Sequence, residues 1–248
     1  MINLREIVRV LAPGILLLCT PVGALGTDAS LPLNVTLGPG MTEWQINNAG
    51  GTDTGNAFDG VCDGSAGLSI GDATGASGDT DAFDTAYQVF VNGQIFKAPD
   101  PVDLTDNVLI AGPAQVGVNN LSATVEYLFS ATVQAARVRS IFTNSSNAPI
   151  DITVEVPVNF GSDAATSIEA TASGDKIFET DDRWLVTSDG IPDNLVNTTV
   201  IFGPDNPPEV PVSVTSSVCD NSGTEGAGVT FTITIPANST RSLMFFAG

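Results

Sequence analysis

Residues 136–158 read ARVRSIFTNSSNAPIDITVEVPV and contain the clearest strand signal of the sequence. From Ile150 to Val156, apolar side chains alternate with polar ones, which predicts a strand with one buried and one solvent-facing side. The preceding ARVRSIF predicts a second strand, and the Thr-Asn-Ser-Ser-Asn-Ala-Pro segment between the two is a turn. The two-residue period returns in GVTFTITIP at 228–236, so the chain is built from strands.

Strand signals continue along the rest of the chain. AYQVFVNGQIF at 86–96 places Asn92-Gly93 between two β-prone runs, a strong hairpin signal. Shorter predicted strands are TSIEATA (166–172), KIFET (176–180), RWLVTS (183–188), NTTVIF (197–202), VSVTSSV (212–218) and RSLMFF (241–246). We expect the Pro-rich segment at 203–211 to be a long loop, with an interdomain linker as the alternative. Helical periodicity is missing beyond residue 26. The sequence therefore predicts an all-β protein, an antiparallel β-sandwich forming one domain over residues 27–248.

Residues 1–26 predict a cleaved signal peptide. Arg5 and Arg9 precede an apolar run from Val10 to Cys19, and small residues follow it. The alternative is a membrane anchor, but the run is broken by Pro13-Gly14 and is shorter than the ~20 residues that span a bilayer. We therefore expect a secreted, periplasmic or cell-surface protein with no membrane span in the mature chain.

The large negative net charge of the chain disfavours anionic partners. The full chain carries a net charge of −20, and cleavage would leave six basic against 27 acidic residues. Such a chain repels phosphate backbones and anionic lipids, so nucleic acid is disfavoured as a partner. Hydrophobic residues make up 42% of the sequence and the mean hydropathy is +0.21, so a folded core is expected.

Cysteine usage predicts one disulfide. Loss of Cys19 with the signal peptide would leave Cys62 and Cys219, and an even pair in an exported chain is most simply a disulfide. Two free thiols are the alternative.

Missing residue types argue against catalysis. The chain contains no histidine, which excludes Ser-His-Asp and Cys-His systems and imidazole zinc sites. A glycosidase-like pair of carboxylates remains open, but spacing alone does not identify one among so many acids. We therefore expect no catalytic residues and a protein that is not an enzyme.

The Asp- and Gly-rich loops at 50–85 are the best candidate for a metal site. They contain two similar five-residue segments, NAFDG at 56–60 and DAFDT at 81–85. Asp carboxylates and turn carbonyls suit Ca²⁺, with Asp79, Asp81 and Asp84 as the favoured ligands and Asp59 as a further one. The spacing matches no EF-hand, and the alternative is that these residues form turns with solvated charges. We expect the side chains of Phe58 and Phe83 to pack in the core and so fix these two segments.

A second candidate site lies in DDRWLVTSDG at 181–190. Asp182, Arg183 and Trp184 place a planar aromatic beside hydrogen-bonding charges, the combination that a sugar platform uses. Strand alternation puts Trp184 on the face of Val186, which favours a core position for the tryptophan. Trp44 is ambiguous in the same way.

The C-terminal half resembles a known kind of module. ARVRSIFTNSSNAPIDITVEVPVNFGSD, SGDKIFETDDRWLVTSDG and FTITIPANSTRSLMFF are similar to β-sandwich modules of uncharacterised activity that recur in exported bacterial proteins. The resemblance implies a fold and a compartment but supplies no reaction. We therefore expect a secreted, non-catalytic structural, surface or matrix interaction module, with Ca²⁺ as its candidate ion. A carbohydrate-binding module is the alternative, and the candidate partners are polysaccharides or other surface proteins.

Overall fold

The computed structural model describes residues 26–38, 40–50, 57–58, 66–75, 78, 81–191, 196–203, 207–219 and 225–248. Within these ranges the chain forms strands and one 3₁₀ turn at Asp163–Ala165, with no α-helix. The strands are β1 (Thr27–Ala29), β2 (Leu33–Thr36), β3 (Glu43–Gly50), β4 (Ala66–Thr74), β5 (Phe83–Ala86), β6 (Phe90–Val91), β7 (Gln94–Ile95), β8 (Val102–Thr105), β9 (Val108–Gln115), β10 (Leu121–Phe129), β11 (Ala136–Asn144), β12 (Ile150–Phe160), β13 (Ser167–Thr171), β14 (Trp184–Ser188), β15 (Val196–Val200), β16 (Ser213–Thr215), β17 (Gly226–Ile235) and β18 (Ser239–Ala247). The predicted all-β class is confirmed. No helix in the described ranges is long and apolar enough to cross a membrane.

The strands form two large antiparallel sheets. The first sheet has the order β1-β8-β9-β10-β11-β18-β15-β14-β13. The second has the order β16-β17-β12-β5-β4-β3-β2, and the short β6–β7 hairpin is attached to it through β12. The predicted antiparallel β-sandwich is therefore the observed architecture.

One hydrophobic core fills the space between the sheets. Aromatic rings make the contacts from one sheet to the other: Trp44 of β3 lies 6.1 Å from Phe129 of β10, and Phe231 of β17 lies 6.1 Å from Phe245 of β18. Trp44 is therefore a core residue, with only 3% of its surface exposed. Offset and edge-to-face ring pairs at such separations add to the stabilisation from burial.

The strands predicted on either side of the 145–149 turn do not pair with each other. Strand β11 belongs to the first sheet, whereas β12 belongs to the second. The buried Asn144 side chain supports this crossing, because its Nδ2 donates hydrogen bonds to the carbonyls of Ala148 and Ile235. The chain changes sheet in the same way between β17 and β18.

The hairpin prediction is confirmed and one strand prediction is wrong. Asn92 and Gly93 both have positive φ angles, +50° and +75°, as the turn between β6 and β7 requires. KIFET at 176–180 forms no strand. This segment is instead part of an irregular loop that follows β13, and it contributes the buried Phe178 to the core.

Candidate functional site

The segment DAFDT at 81–85 is part of the sandwich rather than a free loop. Phe83 is fully buried and its ring lies 6.4 Å from Trp44, so the predicted anchor is confirmed. Asp81 precedes it with a left-handed φ of +77°. A side chain at Gly161 would overlap the Asp81 carbonyl oxygen, which explains why a glycine stands at that position of the neighbouring strand end.

Four carboxylates lie near one another at this edge of the second sheet. Burial, followed by the negative charges of Asp81, Asp163 and Asp72, raises the pKa of Asp84 to about 6. Burial and the charges of Asp72 and Asp163 also raise the pKa of Asp81. These carboxylates therefore repel one another, a condition that a bound cation relieves.

The described residues do not form a ready-made metal site here. Among them, no three side chains of the Asp, Glu, Cys and His types converge in a way that could hold a metal ion. The predicted ligands Asp59 and Asp79 lie outside the described residues, so the prediction of Ca²⁺ stays a prediction.

Phe58, in the segment NAFDG, lies close to Cys219. Phe58 packs on a small cluster of Ala57, Phe90 and Ile95. Its carbonyl oxygen accepts a hydrogen bond of 2.8 Å from the Cys219 N–H. The main chain at residue 219 is therefore held beside a segment that precedes Cys62 by four positions. Cys62 lies outside the described residues, so its disulfide with Cys219 remains a prediction.

Asp182 supports a loop and is not available as a sugar contact. Its side chain is completely buried, and its two oxygens accept hydrogen bonds from the N–H groups of Ser173 (2.8 Å) and Glu179 (2.9 Å). Both oxygens are used to fold the irregular segment between β13 and β14. The predicted direct role of Asp182 in carbohydrate binding is therefore wrong, whereas Arg183 next to it is exposed.

Trp184 lies on the surface, not in the core. The predicted alternation along β14 is correct, but the inward positions are taken by Leu185 and Thr187. Trp184 is 36% exposed on the outward side together with the half-buried Val186. The core position favoured for Trp184 is therefore wrong, because a two-residue period specifies which residues share a face but not which face turns inward.

The strand register extends the exposed tryptophan into a row across the first sheet. Trp184 lies opposite Val200, and Val200 lies opposite Phe246 of β18. Phe246, 38% exposed, in turn lies opposite Arg137 of β11. Directly opposed residues of antiparallel strands point to the same side, so all four side chains line the outer surface.

A second row runs beside the first. Met244, 44% exposed, lies opposite Arg139, which lies opposite Glu126, and Glu126 lies opposite the exposed Ile110. Glu126 forms an ion pair with Arg137 of the first row. In the described part of the chain, Arg139 makes no ion pair. We call these two rows the aromatic face; its members are Trp184, Val200, Phe246, Arg137, Met244, Arg139, Glu126 and Ile110.

Sequence reasoning missed most of the aromatic face. Its signal was present in LMFF, where both phases of the alternation are apolar: Leu243 and Phe245 point inward, so Met244 and Phe246 must point outward. Arg137 and Arg139 could be assigned to the outer surface in the same way, because Val138 between them is buried.

A groove opens beside the aromatic face where β15 separates from β18. It consists of two adjoining cavities of about 510 and 610 Å³ that share Phe202 and Pro207 in their walls. Its charged lining residues are Arg137, Arg139, Arg183, Asp181 and Glu209. We call it the arginine groove; the remaining described residues that line it are Ile201, Gly203, Pro208, Phe231, Ser242, Leu243, Met244, Thr180, Val210 and Pro211.

No protein-family model and no curated protein matches this chain. Several solved structures are similar to it at low identity. A galactose mutarotase-like protein from Lactobacillus casei is 10% identical with a TM-score of 0.46, covering 80% of this chain and 99% of that one. A polysaccharide lyase is 9% identical with a TM-score of 0.45 over 80% of this chain and 32% of its own. A heparan sulfate lyase mutant from Pedobacter heparinus is 13% identical with a TM-score of 0.42 over 89% and 37%.

The chain thus spans about a third of the length of either lyase. At these scores the likeness concerns the β-sandwich architecture and carries no argument about activity.

Proposed function

We propose that this protein is an exported, non-catalytic binding module whose aromatic face binds an extracellular polysaccharide. The observation that carries the proposal is the row in which Trp184, Phe246 and Arg137 stand on adjacent outward positions of one sheet. Sugar rings combine apolar C–H faces with hydroxyl edges, so a surface that binds them needs flat aromatic area next to hydrogen-bonding groups. This row supplies both.

The rigidity of the sheet supports recognition of an extended polymer. Trp184 and Phe246 are held on strands by cross-strand pairing, so little conformational freedom is lost when a chain lies across them. The surface is broad and lies on a sheet rather than in a deep pocket, which suits a polymer more than a single sugar. Catalysis is not part of the proposal, because the aromatic face offers Glu126 as its one carboxylate and that group is paired with Arg137.

The experiment is affinity electrophoresis of the purified protein through gels that contain xylan, methyl-esterified pectin or polygalacturonate. We expect retardation by at least one of them. Trp184→Ala and Phe246→Ala should each weaken binding by about 2 kcal/mol, roughly thirtyfold, as expected for aromatic residues at the centre of a binding surface.

The matched control is Ile177→Ala. Ile177 is an exposed apolar residue outside the aromatic face, at 63% exposure, so its truncation should leave retardation unchanged. All variants should retain the melting temperature of the parent to within a few degrees, since neither Trp184 nor Phe246 is buried. Retardation that survives both aromatic substitutions would overturn the proposal.

A protein partner is the second candidate for the same surface. Trp, Phe, Met and Arg are enriched at protein interfaces, and the aromatic face contains all four. If no polysaccharide retards the protein and sedimentation shows self-association that Phe246→Ala abolishes, the aromatic face is an interface between protein chains.

A further inference from the structure

We propose that the arginine groove selects polysaccharides that carry carboxylates, that is, polymers of uronic acids. This inference rests on the proposed polysaccharide binding and names its ligand class. The aromatic face supplies the contact with sugar rings, and the groove beside it supplies the charge selection.

Positive charge is concentrated at the arginine groove. Beyond the predicted signal peptide the chain has six basic residues, and three of them line this one groove: Arg137, Arg139 and Arg183. The molecule as a whole carries a net charge of −20 and repels anions over most of its surface. Half of its basic side chains therefore lie at this groove; Arg137 is paired with Glu126, so Arg139 and Arg183 supply the positive charge that is left for an anion.

Arg139 lines one cavity of the groove and Arg183 lines the other. Arg139 lies on an outward position of β11, opposite Met244. Arg183 immediately precedes β14, and its carbonyl oxygen accepts a hydrogen bond of 2.8 Å from the N–H of Ile201. In the described part of the chain neither Arg139 nor Arg183 forms an ion pair, so both guanidinium groups can bind carboxylates, which they match with two parallel hydrogen bonds.

The floor of the groove between Arg139 and Arg183 is apolar. Phe202 and Pro207 belong to both cavities, and Leu243 and Met244 add further apolar surface at the Arg139 end. Sugar rings can cover such surface with their C–H faces while their carboxylates reach the arginines. A free inorganic anion would leave the apolar floor unused.

The acidic side chains in the groove limit how densely charged a polymer can be and still bind there. Asp181 lies near the Arg183 end and Glu209 near the Arg139 end. These carboxylates accept hydrogen bonds from sugar hydroxyls but repel densely charged polymers. One carboxylate per sugar ring, with free hydroxyls beside it, satisfies both sets of groups, whereas a heavily sulfated chain does not.

The test compares three polymers by affinity electrophoresis and calorimetry: polygalacturonate, its methyl ester and dextran sulfate. Polygalacturonate and its ester share a backbone, so their difference isolates the carboxylate. We expect polygalacturonate to bind about tenfold more tightly than the ester, the size of one good charge-assisted contact, and to lose that advantage at high salt. Dextran sulfate should bind more weakly than polygalacturonate.

Two variants and a matched control locate the selection. Arg183→Gln should lower the affinity for polygalacturonate by about tenfold and leave the ester unchanged. Arg139 also belongs to the aromatic face, so Arg139→Gln should lower the affinity for polygalacturonate about tenfold more than it lowers the affinity for the ester. The control is Arg241→Gln, which removes an exposed arginine of β18 that does not line the groove. It should bind both polymers like the parent.

The outcomes separate this inference from the function on which it rests. If polygalacturonate and its ester bind equally and both bindings need Trp184, the polysaccharide function stands and the charge selection is overturned. If the arginine variants behave like Arg241→Gln, or dextran sulfate binds best, the selection is likewise overturned. If neither pectic polymer binds, the charge selection is overturned, and retardation by xylan decides whether the polysaccharide function stands.

Discussion

The two outer faces of this sandwich are built on the same strand pattern, and their chemistry differs most where β12 pairs with β17. The first sheet turns Trp184, Phe246 and Met244 outward. The second sheet turns outward a polar ladder in which Asp151, Thr153 and Glu155 of β12 lie opposite threonines of β17. Within this ladder the Thr234 hydroxyl donates a 2.6 Å hydrogen bond to Asp151.

Functional residues of such a fold are to be sought at the outward positions of its strands. Inward positions of both sheets are constrained by the shared core and are apolar for the same reason. Outward positions are free of that constraint, and a polar ladder such as that of β12 and β17 suffices for a solvated sheet. Trp184 and Phe246 are exposed at such outward positions, 36% and 38% respectively, and this apolar surface is what the proposed polysaccharide binding rests on.

The two tryptophans give the largest expected contrast. Trp44→Ala removes a core ring that contacts Phe83 and Phe129, so it should lower the free energy of unfolding by about 3–5 kcal/mol. Trp184→Ala should lower it by less than about 1 kcal/mol, since the ring is on the surface. Urea denaturation of both variants measures the contrast. Equal losses of stability would show that Trp184 is as much a part of the core as Trp44.

Much of the fold could be predicted from the sequence. Alternation in β12 and β17 identified strands, and Asn92-Gly93 identified a hairpin, because these signals depend on neighbours in the chain. The pairing of β11 with β18, not with β12, could not be predicted. Both alternatives bury the same apolar side chains, and only the three-dimensional course of the 145–149 turn distinguishes them.

The candidate site was predictable only in part. Arg183 and Trp184 stand out in the sequence because a planar ring adjoins a charge, but the phase of β14 was not available from the sequence. Asp182 appeared equally polar there, yet it is buried and bonded to two N–H groups of its own loop. The juxtaposition of Trp184 with Phe246 depends on strand register across β15, which no local pattern specifies.

The acidic edge of the second sheet gives a smaller expected effect. The pKa of Asp84 is raised to about 6, so the folded protein holds this proton more tightly than the unfolded chain, whose ordinary value is 3.8. The resulting stabilisation is complete below about pH 4 and is lost as the pH rises through 6. Asp84→Asn should therefore stabilise the protein at pH 7, by about 1 kcal/mol once solvent screening of this half-buried group is allowed for.

Thermal denaturation between pH 4 and pH 7 measures this effect, with Asp28→Asn as the control on the other sheet. The parent should lose stability relative to Asp84→Asn across this range, whereas the control should follow the parent. The same series with Ca²⁺ or EDTA tests the predicted ion, because a bound cation would favour ionised Asp84 and lower its pKa. A gap between Asp84→Asn and the parent that does not widen with pH would contradict the assigned charge repulsion.

The smallest expected effect comes from placing an aromatic ring on the polar face. Thr232→Trp, made in the Trp184→Ala background, puts a tryptophan at an outward position of β17, opposite Thr153. Aromatic residues suit exposed strand positions, so stability should change by less than about 1 kcal/mol. We expect no recovery of polysaccharide retardation in the affinity gel, because this ring has no second aromatic and no arginine opposite it. Recovery would mean that a single exposed ring on either sheet suffices for binding. The arrangement of Trp184, Phe246 and Arg137 would then not be the polysaccharide-binding site.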